Sequence, residues 1–462
     1  MRSIAIIGSG QAGLLAAHAL LKWGYQVTLY SDRTPEQWLN ESRPTGTAQR
    51  FDIALQFEYE LGLNSWENDA PWGEGAHITM CPVPGNRMLT LAGRLRRPFL
   101  GIDLRLQSHA WMHELTKRGG RIVIESVDVA RLDQIAAEND LTIVATGRAD
   151  LCKLFERDAA RSIYDKPQRH LAMVCIKGIP YGFDGIPFTP VKQNIIGPAG
   201  EIFFGPYYHK DAGPSWAAVL EAKPGGPMDR FEGMKQGDQV LETAKKVVQE
   251  FAPWDYEWIK NAELSDPLGW LVGKFAPTVR NPVGKLPSGR LVTCVGDTAM
   301  ALDPIGGQGA NNGNKMVRNL VECVLSQEDR PFDAQWMTET FERFYARHGR
   351  DTYAFNHSLL EPPTPAAFDF LLAQYGSDGR FDNSSGPQLL ANAFVENAND
   401  PGLLTPLLTD RRRMHQFIEK VTGRSWMRAV AGGAMGVARE EFRQLRGQQP
   451  RHPVVAEYKI AA

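Results

Sequence analysis

Residues 4–7 form a short apolar run that is cut by the stretch Gly8-Ser9-Gly10-Gln11-Ala12-Gly13. Apolar positions then crowd Leu14 to Trp23 at helical density until Gly24 stops them. Gln26 to Tyr30 is a second β-type run, so the opening predicts one βαβ unit. Two later runs, Leu141 to Ala145 and Leu291 to Val295, also lead into glycine, at Thr146-Gly147-Arg148 and Gly296-Asp297. Buried runs that end in glycine loops predict one parallel sheet assembled from distant segments. From about 165 to 275 the pattern changes. Ala172 to Ile176, Gly200 to Gly205 and Trp216 to Leu220 read as strands between Gly/Pro turns, an antiparallel sheet inserted into the dinucleotide fold. Beyond about 310 the chain reads mainly helical, with candidate helices at 314–326 and 334–348. Pro362-Pro363-Thr364-Pro365 breaks the pattern and it returns near 408–445, where Asp410-Arg411-Arg412-Arg413 fits a solvated helix face.

The chain has 462 residues, which at roughly 150 residues per domain means two or three domains. Apolar residues make up 43% and charged residues 23%, so disorder and a fibre are excluded. Fifty-one Lys+Arg against 53 Asp+Glu leave a net charge of −2, too little basic excess for a nucleic-acid binder. The cysteines at 81, 152, 175, 294 and 323 form no CxxC or Cys/His cluster. They are expected to be buried free thiols of a reducing cytoplasm, not zinc ligands. No apolar run approaches the roughly 18 residues a membrane span needs. Met1-Arg2-Ser3 and the following apolar run imitate a signal peptide, but the run breaks at Gly8 with no cleavage site after it. A strand and a cytoplasmic location are expected instead.

The glycine stretch carries the first chemistry. Gly8-x-Gly10-x-x-Gly13 follows a strand and opens a helix, as a dinucleotide fingerprint must. Gly8 permits the tight turn, Gly10 lets a pyrophosphate approach the backbone, and Gly13 lets helix and strand pack closely. The free N–H groups of the helix start, Ala12 among them, then face the phosphates. A ribose-binding acid is expected about 20 residues on. Asp32 follows the strand end at Ser31 by one place, and Arg33 is a candidate neighbour of pyrophosphate or adenine. The second motif is Gly296-Asp297 followed by Asp303-Pro304-Ile305-Gly306-Gly307-Gln308-Gly309-Ala310-Asn311. A strand-end carboxylate suits a sugar-alcohol hydroxyl, and the glycine-rich turn enters a helix whose N-terminus stabilises negative charge.

This second motif resembles the flavin-contacting segment of the aromatic-hydroxylase-like FAD monooxygenases. More narrowly, the chain is similar to the oxygenase component of styrene and indole monooxygenases. The matching pieces are residues 28–33 (Thr-Leu-Tyr-Ser-Asp-Arg), Arg43 with Thr47, and Asp103-x-Arg105-Leu106. Lys166-Pro167-Gln168-Arg169 with Lys177-Gly178-Ile179, and Asp303 to Asn311, complete them. They run in order over about the first 315 residues. Pro362-Pro363 with Phe368 and Phe370 is a weaker echo, and the last 50 residues carry no match.

The resemblance implies an α/β fold with three parts. A discontinuous FAD-binding Rossmann-like (GR2, aromatic-hydroxylase type) domain spans 1–75, 100–164 and 276–325. A substrate-binding β-sheet domain spans 76–99 and 165–275, and a helical region covers 326–462. It also implies FAD contacts from Gly8, Gly10, Ala12, Gly13, Asp32, Arg33, Arg43, Arg105, Gly147, Asp297, Gly307, Gln308, Gly309, Ala310 and Asn311. Asp297 would hold the ribitol and Arg43 the diphosphate. Gly46, Thr47, Pro304 and Gly306 would form the catalytic surface, with the turn after Pro304 against the isoalloxazine. No metal is implied.

Single-component hydroxylases of this fold carry an Ala-Asp-Gly linked to NADPH use, where this chain has Ala145-Thr146-Gly147. That loss implies an oxygenase that receives reduced FAD from a separate, transiently bound NADH-dependent flavin reductase. With O2 it would epoxidise a small aromatic alkene or indole by way of a flavin C4a-hydroperoxide. A homodimer is left open, and no nucleic-acid or membrane partner is expected. The rival readings are an aromatic hydroxylase of a biosynthetic pathway and a non-catalytic binding protein, both on the same fold. A halogenase is disfavoured by the lack of a Trp-x-Trp-x-Ile-Pro segment.

One departure leaves the substrate open. Styrene-type enzymes are expected to carry Asn, Val and His, and indole-type Ser, Gln and Met, at the positions matching 46, 48 and 50. This chain has Gly46, Ala48 and Arg50. Gly46 would enlarge the pocket. Arg50 is readable as the partner of an acidic or polar substrate, or as facing solvent or the FAD phosphates. Among the histidines, His18 reads as packing within the first helix. His109 and His113, one helical turn apart, lack a third ligand in sequence and read as a solvated or core pair.

Overall fold

The computed structural model describes residues 2–147, 150–183, 185–380 and 384–447, so Arg148 of the expected glycine loop lies outside the described residues. The chain divides into two compact units. The first comprises Met1–Asn68, Ile102–Gln168 and Phe275–Tyr353, the second Asp69–Gly101, Arg169–Lys274 and Ala354–Ala462.

The first unit is built on the expected parallel sheet. Its strands lie in the order Val283–Lys285, Leu291–Cys294, Leu141–Val144, Ser3–Ile7, Gln26–Ser31, Arg121–Ile124. Each neighbouring pair is parallel except the outermost, where Val283–Lys285 runs antiparallel to Leu291–Cys294. Central strands of such a sheet are covered on both faces, which is why they read as unbroken apolar runs. Ile4, Ala5 and Ile6 are indeed fully buried. Helix Gln11–Lys22 buries Leu14 to Leu20 and ends at Trp23, followed by Gly24 with φ +85°. The left-handed conformation there is the usual reason for glycine after a helix.

His18 lies fully buried in that helix, as packing requires. Its Nε2–H donates to the carbonyl of Trp111 at 2.9 Å, and Arg118 approaches Nδ1 at 3.4 Å. Burial holds the imidazole down to about 4 from the ordinary 6.5. The unfolded chain therefore takes up this proton first as pH falls. The stability His18 contributes is intact above about pH 6.5 and is lost between there and about 4, with a ceiling of about 3 kcal/mol. Unfolding free energy measured against pH should fall more shallowly in that window for His18→Gln than for the parent chain. Parallel curves would refute it.

The second unit carries a mixed sheet. Its strands are ordered Glu263–Leu264, His170–Lys177, Gly213–Ala222, Gly200–His209, Pro190–Ile196, Gly73–Cys81, Leu89–Gly101, and Trp270–Lys274 also pairs with His170–Lys177. The sheet is antiparallel as expected, apart from one parallel pairing, Gly73–Cys81 with Pro190–Ile196. Helix Gly237–Phe251 lays Val240, Leu241, Ala244, Val247, Val248 and Phe251 into the same core as Phe204, Trp216 and Trp258. Helix Gly386–Asn399 uses polar side chains at four-residue spacing. Gln388 donates to Ala92 O at 2.9 Å, Asn392 accepts from Arg94 N at 2.8 Å, and Glu396 accepts from Arg96 N at 2.9 Å. One helix face thus satisfies backbone groups of Leu89–Gly101, much as a further strand would. The proline break sits where expected, with Thr364 capping helix Pro365–Ala373. In the Asp410–Arg413 run Asp410 caps helix Arg411–Thr422, and Arg411 is not merely solvated, for it pairs with Asp369 at 2.7 Å. All five cysteines are free, four of them buried. Among the described residues no helix is long and apolar enough to cross a membrane.

Candidate functional site

The fingerprint turn is the centre of the first unit. Gly8 has φ +112°, and a Cβ there would fall 2.4 Å from Ala145 O. A Cβ on Gly13 would fall 1.9 Å from Gly8 O, so helix and strand are in contact at that point. Gly10 differs, since a Cβ there would meet no protein atom within 4 Å. The first-turn N–H groups of Gln11–Lys22 take no bond from a capping side chain of Gly10.

A second helix start lies beside the first. Helix Gly309–Leu325 also lacks a side-chain cap, and the Gln11 amide donates to Ala310 O at 3.3 Å and Asn314 Oδ1 at 2.6 Å. Gly296, with φ +63°, brings its Cα so near Ala12 that a Cβ would approach Ala12 Cβ to 3.0 Å. The Asp297 carboxylate stands 3.9 Å from the place a Cβ on Gly309 would take. Thr298 Oγ1 donates to Gly147 O at 3.0 Å, which ties in the third glycine loop. Gly10, Ala12, Gly13, Gly147, Asp297, Gly309 and Ala310 are therefore gathered around two adjacent helix N-termini. The start of each helix carries partial positive charge, which suits an anion.

The turn between these elements is braced from inside. Buried Asp303 accepts from Ile305 N at 3.2 Å, Pro304–Gly306 forms a single 3-10 turn, and Gly307 takes φ +61°. Gln308 donates to Gly306 O at 3.0 Å. Asn311 donates to Gly307 O and Gln49 O, both at 2.9 Å, and accepts from Phe51 N at 2.7 Å. The side chains of Gln308 and Asn311 thus hold the turn, whereas Pro304, Gly306, Gly307, Gly309 and Ala310 stay half-buried. The same asparagine fastens residues 49–51 to the motif. Ahead of them Gly46 has open space about its Cα, Thr47 is half-buried, and Ala48 takes φ +46°.

Two arginines depart from expectation. Arg50 faces neither solvent nor a ligand cleft. It is buried, with Nε 2.7 Å from Glu58 Oε1 and its guanidinium donating to Ala48 O at 2.6 Å. Asn314 donates to the same Glu58 oxygen at 2.7 Å. Burial pushes the Glu58 carboxyl above the ordinary range, while Arg50 and Asn314 pull it back. Arg105 was expected to touch the cofactor, but its side chain has no exposed surface. It is paired at 2.7 Å with an equally buried Asp103, which also caps helix Leu104–Lys117. In this arrangement it has no face for a ligand.

Of the remaining candidates, Arg33 and Arg43 line a cleft and Asp32 does not. Strand Gln26–Ser31 ends at Ser31, whose hydroxyl is 2.6 Å from Ser9 Oγ, and Trp38 Nε1 donates to Ser9 at 2.8 Å. Asp32 lies beyond this sealed corner, exposed and 3.5 Å from Arg33. Arg33 donates to Ser42 at 3.1 Å and lies over the Trp38 ring. Arg33, Gln37, Glu41, Ser42 and Arg43 line a cleft of about 370 Å³. Two guanidinium groups on one cleft suit an anionic ligand group such as a phosphate. Ser9, Gln11, Trp38, Glu58 and Asn314, which hold these parts in place, were not picked out by sequence because none belongs to a recognisable spacing.

The comparisons agree with this geometry. Residues 147–258 match the family described as "Styrene monooxygenase A putative substrate binding domain". Styrene monooxygenase StyA of Pseudomonas fluorescens is 29% identical over 408 residues, covering 87% of this chain and 93% of its own. The StyA of a Pseudomonas sp. matches to the same extent. Among solved structures, a flavoprotein/dehydrogenase from Cytophaga hutchinsonii superposes with a TM-score of 0.62 at 13% identity, over 91% of this chain and 99% of that one. The flavin-dependent brominase Bmp2 gives 0.57 at 13% identity, over 96% and 99%. These structural likenesses speak for the fold alone. The matched domain and the two relatives aligned over most of their length make this chain similar to the styrene monooxygenase oxygenases.

Proposed function

We propose that this chain is the oxygenase component of a two-component FAD-dependent monooxygenase. It takes reduced FAD from a separate NADH-dependent reductase and epoxidises an aromatic alkene of the styrene class or the C2=C3 bond of indole. The observation that supports this reading is the meeting of two helix starts that lack a side-chain cap, joined through Gln11 and Ala310, with Gly296 against Ala12 and the Asp297 carboxylate beside Gly309. The StyA relatives support the substrate class.

Reduced FAD, when bound, supplies the electrons and the activated oxygen. The chain's part is to bind and to orient. The N–H groups of the two helix starts would meet the diphosphate, with Arg33 and Arg43 neutralising charge beside it. Asp297 would accept from a ribitol hydroxyl, and the surfaces at Gly46–Thr47 and Pro304–Gly306 would face the ring system. Oxygen transfer to a π bond takes no proton from the substrate, so no general base is called for. Gly46, Thr47, Pro304 and Gly306 include no group that titrates near neutrality, in keeping with such a reaction.

The test supplies the reductant directly. The chain is loaded with anaerobically reduced FAD and styrene, without reductase or NADH, and mixed with oxygenated buffer. Styrene oxide should form, and indole is run in parallel. NADH alone should not be consumed. If reduced FAD reoxidises as it does free in solution and no oxygenated product appears, the reading fails. Asp297→Ala should weaken FAD binding at least tenfold, about 1.4 kcal/mol, by equilibrium dialysis. Unchanged affinity would remove Asp297 from the cofactor site.

A further inference from the structure

His109 and His113 stand one turn apart on helix Leu104–Lys117, and spacing alone offers only two ligands. The fold brings a third from a distant segment. We propose that Glu36, His109 and His113 form a surface binding site for a divalent late first-row transition-metal cation of the zinc class.

One nitrogen of each ring and one oxygen of Glu36 lie within 4.8 Å of one another. His113 Nε2 and Glu36 Oε1 are 3.3 Å apart. Donors about 2.0–2.1 Å from a tetrahedral Zn2+ are separated by about 3.4 Å, so one edge of the polyhedron is already formed. The two rings meet edge to face with centroids 4.6 Å apart, close enough for small side-chain rotations to bring the second nitrogen in.

The backbones under these side chains are fixed. Thr34 and Gln37 make a complete capping box around Pro35–Glu41, with bonds of 3.1 and 3.0 Å, and Trp38 anchors that helix in the core. Asp103 caps the histidine-bearing helix. Two imidazoles and one carboxylate suit zinc, nickel or copper and not calcium or magnesium, which take oxygen donors. Three protein ligands leave a fourth position to water.

The test titrates the full chain with Zn2+ against a chromophoric chelator. One equivalent should bind to the parent chain. His109→Ala and His113→Ala should each weaken binding by more than the roughly 10–100-fold that loss of an outer-shell partner costs. Glu36→Gln should weaken it by about tenfold or more. The His113 and Glu36 side chains are 54% and 62% exposed, so these variants should unfold at the parent's temperature when chelator is present. Absence of a bound equivalent at micromolar Zn2+ would overturn the proposal. So would undiminished binding in His109→Ala/His113→Ala, which would put the ion elsewhere, for instance at His209, Asp211 and Asp266.

Discussion

Gly10→Ala is expected to lower FAD affinity by about a hundredfold, ~3 kcal/mol, while the chain stays folded. The residue sits at φ −74°, ψ −179°, a conformation alanine adopts without strain. Its missing Cβ points where no protein atom lies within 4 Å. The methyl group therefore costs the fold little, about 1 kcal/mol for a poorer helix cap. It intrudes only on whatever the open face receives. Gly13→Ala is the matched control. Its Cβ would lie 1.9 Å from Gly8 O, a backbone atom that cannot rotate aside. That variant should lose stability by about 1–3 kcal/mol or more, and binding with it. Thermal unfolding and equilibrium dialysis on both variants separate the two roles. If Gly10→Ala binds FAD as the parent does, the diphosphate does not lie on this turn.

The contrast between these glycines also explains what could be read from sequence. The demands on Gly8, Gly10 and Gly13 are local, set by a turn of a few residues, and so they appear as a spacing. What fills the space around them is not local. Ala145, which closes over Gly8, and Gln11 with Asn314, which join the two helix starts, come together only through the sheet order. Arg50 and Arg105 were misread for the same reason. An arginine near a binding motif suggests an anion, yet each found its carboxylate within the chain. Asp103 stood two residues away, and Glu58 two turns along helix Asp52–Glu60. Strand Leu89–Gly101 is hard to recognise because Arg94, Arg96, Arg97 and Pro98 interrupt its apolar pattern. The polar face of Gln388, Asn392 and Glu396 accommodates that edge, and no window around the strand contains it.

Arg50→Met should be among the most destabilising single changes in the first unit, by about 3–5 kcal/mol, because it leaves the Glu58 carboxylate buried without its cation. Burial already raises that carboxyl above its ordinary 4.5. Without Arg50 it should rise further, so the folded variant holds a proton that the unfolded chain releases. The sign follows from this. Stability is retained below about pH 4.5 and lost as pH rises toward the folded-state value, so the deficit against the parent should be small in acid and grow toward neutrality. Arg50→Met/Glu58→Met removes both charges and should recover most of the loss, since apolar replacement of a buried pair is often neutral or better. Asn314 keeps its bond to Ala54 O at 3.1 Å in that background. The double variant nevertheless lacks the 2.6 Å bond that holds Ala48 O. Ala48 sits at φ +46°, a conformation that costs of order 1–3 kcal/mol and needs its surroundings to enforce it. Released, the adjoining Gly46–Thr47 segment should lose its set position, and the proposed oxygenation should slow in a chain that is fully folded and still binds FAD. Equal turnover by parent and double variant would mean that Arg50 serves stability alone. A change confined to substrate KM, with stability untouched in Arg50→Met, would instead return Arg50 to the substrate.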